Sequence, residues 1–571
     1  MSTRANRAKA VSPSVTDGFV ADGFVTDGIV TSPASGNDGL ASLIASLLVI
    51  RASGHLLDGQ RRYPQWELAN AELESLLRLG VGGVILLGGS AAELSLRCRQ
   101  LQDWASGPLL LCADVEEGVG QRFEGASWLP PPLSLGQLHA RNPDGAVALA
   151  HRYGRCTGRE ARALGLNWVL GPVCDVNNNP ANPVINVRAW GETAAVVTAL
   201  TRAFSAGLQA EGVLGCAKHF PGHGDTSVDS HLDLPVLHHS RQRLADVELP
   251  PFVACIDAGV EAVMTAHLML PALDPERPAT LSKAVLTDLL RGQLGFEGLV
   301  VTDALVMEAI SQRYGAGEAA VLALEAGADL VLMPADARAA LAAIAAAVAA
   351  GRLSRDQLEA SARRRQHALE RVSQHGSPGV AAPEHLEPDT DLAQTVLELS
   401  LQRQGGYVAS AGDAGGINLI RLENCLQAPQ AVPQLPSLEL PVASGFRPVL
   451  LEPRSPRPWS DDSKAPMNLA TLGEGPVLLQ LFVRGNPFRG STAAREPWAE
   501  VVMQLQRLGR LAGLVVYGSP YLWQSLQAVL EPPIPAAYSP GQMPQAQTLA
   551  LTSLGFGDTE AGTEVRTDFT D

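Results

Sequence analysis

Much that would assign a chain to a function class at a glance is missing here. The seven cysteines are an odd number and none has CxxC spacing. Cys112, Cys174 and Cys216 fall in or at the end of apolar runs, where a thiol behaves as a small hydrophobe, so a reducing compartment is expected. The basic excess that nucleic acid or an anionic membrane would require is absent. Lys and Arg number 43 against 59 Asp and Glu, for a net charge of -16 and a pI near 5.3, and either polyanion would be repelled at long range. The longest apolar stretch, Leu40 to Ile50, is too short to cross a bilayer and is broken by serines. Arg4, Arg7 and Lys9 are followed by Ser, Pro, Thr and Asp rather than by an apolar core, so no signal peptide is visible and a cytoplasmic location is expected. HxH and HExxH spacings are also lacking.

What is present is the composition of a globular enzyme-sized chain: 571 residues, 46% apolar and 18% charged, with a mean hydropathy of +0.07. Two domains plus tails is the natural division at this length. Residues 1–37 are rich in Ser, Pro and Gly and echo Val-Thr-Asp-Gly-Phe three times with small changes, which predicts a disordered tail. From residue 38 to 376, eight short apolar runs alternate with stretches of helical spacing. The runs are Leu47 to Ile50, Gly83 to Leu87, Leu109 to Ala113, Trp168 to Val173, Val213 to Ala217, Ala262 to Ala266, Leu299 to Thr302 and Asp329 to Met333. Strands buried on both faces and separated by crossover helices predict an α/β fold, a (β/α)8 TIM barrel.

The polar residues carry the same prediction further. Asp114, Asp175, Lys218 with His219, His267 and Asp303 each stand at or just past the C-terminal end of an apolar run, the face on which such a barrel builds its active site. Residues 377–391, with Pro378, Pro383 and Pro388, read as a linker. Residues 392–556 read as a smaller α/β sandwich domain, with Gln427 to Asn468 Pro-rich and unassigned, and 557–571 as an acidic tail.

The densest chemistry lies between Gly215 and Pro235, where a strand-like run opens into Lys218-His-Phe-Pro-Gly-His-Gly-Asp-Thr and then Asp229-Ser-His231. Asp229 and His231, two residues apart on one loop, are spaced for a carboxylate to orient an imidazole and set its basicity. Bland readings compete: Asp303 has the setting of a helix N-cap, Asp229 and His231 could be a chance pair on a solvated loop, and Glu116 and Glu117 could be structural. His223, Asp225, Asp175, Asn177 and Asn179 suit loop shaping through backbone hydrogen bonds, and His238 and His239 suit solvent.

These segments together resemble the β-N-acetylglucosaminidase (β-N-acetylhexosaminidase) branch of glycoside hydrolase family 3, two-domain type, a group that includes the cytoplasmic enzyme of peptidoglycan recycling. Beside the Lys218 to His231 stretch, Asp114-Val-Glu-Glu-Gly-Val-Gly-Gln-Arg122 looks like that branch's Asp-Gln-Glu-Gly-Gly strand end, with Val115 and Glu117 departing from its usual Gln and Gly. Asn182-Pro-Val-Ile-Asn-Val-Arg188 matches a loop that supplies a sugar-binding arginine, and Gly298-Leu-Val-Val-Thr-Asp-Ala-Leu-Val-Met307 is similar to the nucleophile segment. The resemblance covers roughly residues 40 to 375 and implies net retention through a covalent glycosyl-enzyme intermediate. Asp303 has the type and place of the nucleophile, and His231 paired with Asp229 would serve as acid and base, where most glycosidases use a second carboxylic acid. Asp114, Arg122, Arg188, Lys218, His219 and His267 would then bind the nonreducing sugar.

The expected partner is a small carbohydrate or muropeptide, acted on by a monomer without cofactor, metal, nucleic acid or membrane. Other readings stay open on the sequence: a β-glucosidase or a phosphorylase within the family, a metal-dependent barrel hydrolase using His219, His223, Asp225, His231 and Asp303, or an inactive sugar-binding protein.

Overall fold

The structure, a computed structural model, describes residues 36–226, 234–374, 388–412, 415–423, 435–452, 455–456, 458–460, 462, 465–484 and 496–557. The expected disordered and acidic tails and the linker lie largely outside that set.

Eight strands fall in the first 340 residues: β1 (Leu48–Ser53), β2 (Gly83–Leu87), β3 (Leu110–Ala113), β4 (Trp168–Val169), β5 (Cys216–Phe220), β6 (Ala262–Thr265), β7 (Leu299–Val301) and β8 (Val331–Leu332). They form two parallel half-barrel sheets, ordered β4-β3-β2-β1-β8 and β5-β6-β7. Isolated parallel bridges Trp168↔Leu214 and Val301↔Leu330 link the two, so each strand neighbours the next in sequence from β1 through β8 and back to β1.

The apolar runs are explained by what they enclose. Val49, Ile85, Leu110, Cys112, Trp168, Cys216, Met264, Val301 and Leu332 meet in one buried cluster, with at least one member from every strand. Ala368, Leu369 and Val372 of the helix Arg355–Ser373 pack into the same cluster. The opposite strand faces pack outward against the helices in two larger cores. Strands covered on both sides have no polar face to show, which is why they read as unbroken hydrophobic runs rather than alternating ones.

One strand departs from its expected position. The run Val213 to Ala217 predicts a strand ending before Lys218, yet β5 spans Cys216–Phe220 and includes Lys218 and His219. The backbone past β4 continues the pairing: Cys216 N–H donates to Gly171 O at 2.7 Å and Lys218 N–H to Pro172 O at 3.1 Å. A strand can thus carry a lysine where the side chain finds carboxylates, and hydropathy alone ends it too early.

Beyond the barrel a third sheet has six strands among the described residues: β9 (Gln402–Gln404), β10 (Gly416–Leu422), β11 (Phe446–Leu451), β12 (Val477–Val483), β13 (Leu511–Gly518) and β14 (Ala536–Ser539), ordered β11-β10-β12-β13-β14-β9 and parallel apart from β9. The Pro-rich segment left unassigned by sequence holds a helix, Pro436–Ala443, and β11. Pro448 is tolerated there because β11 is an edge strand, where a missing N–H breaks no ladder on the open side. Trp128 of the first unit packs against Leu397, Met543 and Ala546 of the second. Among the described residues no helix is long and apolar enough to cross a membrane.

Candidate active site

The C-terminal ends of β3 and β5 bring opposite charges together in a buried place. Lys218, 1% exposed, reaches Asp114 Oδ1 at 2.7 Å and Glu116 Oε1 at 2.6 Å. Arg188, on the short turn Asn186–Arg188, forks onto the same Glu116, with Nε 2.7 Å from Oε2 and the second nitrogen 2.8 Å from Oε1. Burial pushes the Glu116 carboxyl up, but Arg188 and Lys218 outweigh it and hold the group well below the usual carboxylate range. Burial would likewise lower Lys218, and Asp114 and Glu116 reverse it. Buried charges persist only when matched in this way. Arg122 donates from Nε to the backbone oxygen of Asp114 at 2.9 Å and so fixes the turn after β3.

His219, one residue along β5, is held by Asp175, which is fully buried. Its Nδ1 lies 2.7 Å from Asp175 Oδ2, and the other carboxylate oxygen accepts the backbone N–H groups of His219 and His223 at 3.2 and 2.7 Å. Burial raises Asp175 and His219 more than compensates, leaving it low. A carboxylate on Nδ1 fixes the tautomer and leaves Nε2 for a ligand. Burial depresses the His223 imidazole to about 4. Asn182 ties the two loops together, donating to His223 O and Gly224 O, both at 2.9 Å, while accepting from Val184 and Ile185 N–H. The backbones are so close that a Cβ at Gly224 would lie 1.9 Å from Val176 O.

Asp303 stands two residues past β7, half-buried. The helix that it might have capped begins only at Glu308, with Met307 as its N-cap, so capping is not its task. Its backbone N–H donates to Thr265 Oγ1 at 3.4 Å and its Oδ1 accepts Ala304 N–H at 2.7 Å. His267 lies behind this turn, fully buried, with Nε2 3.1 Å from Ala304 O and Nδ1 2.8 Å from Thr280 Oγ1. Thr265 donates to the same Thr280 hydroxyl at 2.8 Å. His267, expected at the sugar, lies against the backbone that bears Asp303. Burial raises the Cys216 thiol, and Lys218, Asp114 and Asp303 all act on it, so the strand ends share one electrostatic neighbourhood.

Asp229 and His231 lie outside the described residues. On either side of them, Thr226 Oγ1 is 2.8 Å from His223 Nδ1 and Leu237 N–H donates to Met269 O at 2.9 Å. His239, expected in solvent, instead pairs with Asp225 at 3.1 Å; His238 is exposed. Asp175, taken as a loop former, does accept the backbone N–H groups of His219 and His223, and Glu116, set aside as structural, pairs with Lys218 and Arg188. Asn177 and Asn179 do shape their loops, accepting Asn186 and Ala181 N–H at 3.0 Å each.

Comparison with known proteins decides the lineage. Residues 43–368 match the glycosyl hydrolase family 3 N-terminal domain, and 410–555 match the bacterial family 3 C-terminal domain. The chain belongs to glycosyl hydrolase family 3. It is 37% identical over 286 residues to beta-hexosaminidase A of Pseudoalteromonas piscicida, covering 46% of this chain and 47% of that protein. With the beta-hexosaminidase of Stenotrophomonas maltophilia K279a it shares 38% over 271 residues, 47% of this chain and 80% of the relative. A solved family 3 beta-N-acetylglucosaminidase from Paenibacillus sp. FPU-7 superposes with a TM-score of 0.72 at 29% identity, over 90% of this chain and 96% of that one. The resemblance read from four sequence motifs is therefore borne out, on the hexosaminidase side of the family.

Proposed function

We propose that this family 3 glycoside hydrolase is a retaining exo-β-N-acetylglucosaminidase, working on a (β/α)8 barrel of residues 38–376 with a second domain at 392–556. The observation that carries the reading is the ion-paired set Lys218, Asp114, Glu116 and Arg188 beside the ends of β3 and β5, with His219 on β5 and Asp303 past β7. Such a set recognises hydroxyls without rearranging, because each charge is already held by its neighbours. Asp114, 37% exposed at the side chain, and His219 Nε2 accept from sugar hydroxyls, Lys218 donates, and Arg188 and Arg122 hold the frame. The substrate class follows from the relatives' names.

In the chemical step the Asp303 carboxylate attacks the anomeric carbon as the glycosidic bond breaks, forming a glycosyl ester. His231, oriented by Asp229, gives its proton to the leaving oxygen. It then takes one from the water that opens the ester, which restores both residues. Ala304 N–H on Asp303 Oδ1 and His267 on Ala304 O hold the nucleophile in place. Cytoplasmic turnover of peptidoglycan fragments is the role proposed for it.

The test is hydrolysis of aryl β-N-acetylglucosaminide against aryl β-glucoside, with and without phosphate, by the full chain and its Asp303→Ala variant. Preference for the acetamido sugar, loss of turnover in the variant and an unshifted unfolding transition are expected. Undiminished activity in the variant overturns the nucleophile, glucoside preference overturns the substrate, and sugar 1-phosphate as product overturns hydrolysis.

A further inference from the structure

The second domain holds polar groups that the proposed chemistry does not use. In its sheet β10 lies between β11 and β12, so strand order reverses between β10 and β12. In open parallel sheets the crevice outside the strand ends at such a reversal is the usual ligand site. Here Glu423 follows β10 and Arg484 follows β12, and Arg484 N–H donates to Glu423 Oε2 at 2.8 Å. What occupies the crevice belongs to the first domain. The Arg484 guanidinium forks onto Glu117, one nitrogen 3.0 Å from Oε2 and the other closer still to Oε1. Glu117 is 1% exposed; Trp128 Nε1 donates to its Oε2 at 3.1 Å, and its backbone N–H donates to Gln121 Oε1 at 3.1 Å. A second tie runs parallel, with Tyr521 placed between Asn177 Nδ2 at 2.6 Å and Glu192 Oε1 at 2.8 Å.

Glu117 follows Glu116 directly. We infer that Arg484 is a positioning residue which the second domain supplies to the sugar cluster of the first: by neutralising Glu117 it keeps Arg188 and Lys218 committed to Glu116 and Asp114. Without it, a buried carboxylate one residue from Glu116 would have no matching cation and would draw on the two already engaged. The charges of Glu116 and Arg188 also act on Arg484. The inference rests on the glycosidase reading above and adds that sugar affinity depends on the second domain.

The experiment uses the full chain with Arg484→Ala, Arg484→Lys, Glu117→Gln and the double variant Glu117→Gln with Arg484→Ala. KM and kcat are measured on aryl β-N-acetylglucosaminide and on aryl β-glucoside. The Kd for N-acetylglucosamine is measured by calorimetry, and folding by thermal unfolding. Arg484→Ala should raise KM and Kd about tenfold, the equivalent of one ion pair's loss, with kcat within about threefold. Arg484→Lys should recover part of the affinity. Adding Glu117→Gln should return KM toward the parent value, because the stranded charge is gone. Unchanged KM and Kd in Arg484→Ala, or a KM rise that the second substitution fails to relieve, overturns the inference. A merely structural tie would lower the unfolding temperature and leave both constants alone. If Arg484→Ala does not fold, the Arg484→Lys and double variants decide. Should the parent prefer the glucoside, the substrate proposal falls and the same series on that sugar still judges Arg484.

Discussion

Replacing Glu116 with glutamine removes one charge from the cluster and leaves its shape. In the parent, that carboxylate is 4% exposed at the side chain and takes Arg188 at 2.7 and 2.8 Å and Lys218 at 2.6 Å. In Glu116→Gln, Lys218 retains Asp114 and Arg188 retains the Val184 carbonyl at 3.2 Å, so two buried cations share one half-exposed anion. Removing one partner from a buried pair costs about 3–5 kcal/mol. The amide oxygen still accepts a hydrogen bond, so the lower end, about 3 kcal/mol, is expected. At about 2 °C per kcal/mol for a large domain, the first unit should unfold roughly 6 °C lower at pH 7. The sign of the pH dependence follows from the depressed carboxyl. Its stabilisation is complete above the unfolded value of about 4.3 and is lost as pH falls through the lower folded value. The parent and variant should therefore differ most near neutrality and converge in acid. Calorimetry from pH 7 downward, with KM alongside, measures both. A difference below about 1 kcal/mol at pH 7, or one that persists unchanged into acid, would refute the account of the cluster.

Other outcomes follow from the same geometry. His231→Ala should lose about 10²–10⁴-fold on substrates with poor leaving groups and much less on activated aryl glycosides, and equal losses on both would remove the residue from acid catalysis. Asp175→Asn leaves His219 Nδ1 without a carboxylate and should lower kcat/KM about 10- to 100-fold, the worth of a charge-assisted hydrogen bond; a parental value argues against His219 as a sugar ligand. Gly224→Ala forces a Cβ to 1.9 Å from Val176 O, an overpacking that should cost about 1–3 kcal/mol or more, and an unshifted melting temperature would contradict the loop contact.

The strands of the first unit were legible because burial on both faces leaves a local mark. The run at Gly83–Leu87 was readable to the residue. β11 was not, since a half-exposed edge strand interrupted by Pro448 has no such signature. Lys218 was expected beyond a strand end and proved to be inside one, because its partners Asp114 and Glu116 lie about a hundred positions away in sequence and leave no trace in its neighbourhood. Glu116 and Glu117 look alike as adjacent acids. Only the fold assigns one to Arg188 and the other to Arg484.

That division also explains how so many charges can sit at the strand ends without disrupting the core beneath them. Lys218, Arg188 and Arg484 are three cations, and Asp114, Glu116 and Glu117 are three carboxylates; each cation has an acid within ion-pair distance. A neutral, fully paired lattice contributes fixed dipoles at low dielectric, where a hydroxyl recognises them strongly, and avoids the cost of a bare buried ion. Its balance needs members from both domains. A chain that kept Glu117 and lost Arg484 would carry one buried carboxylate without its cation.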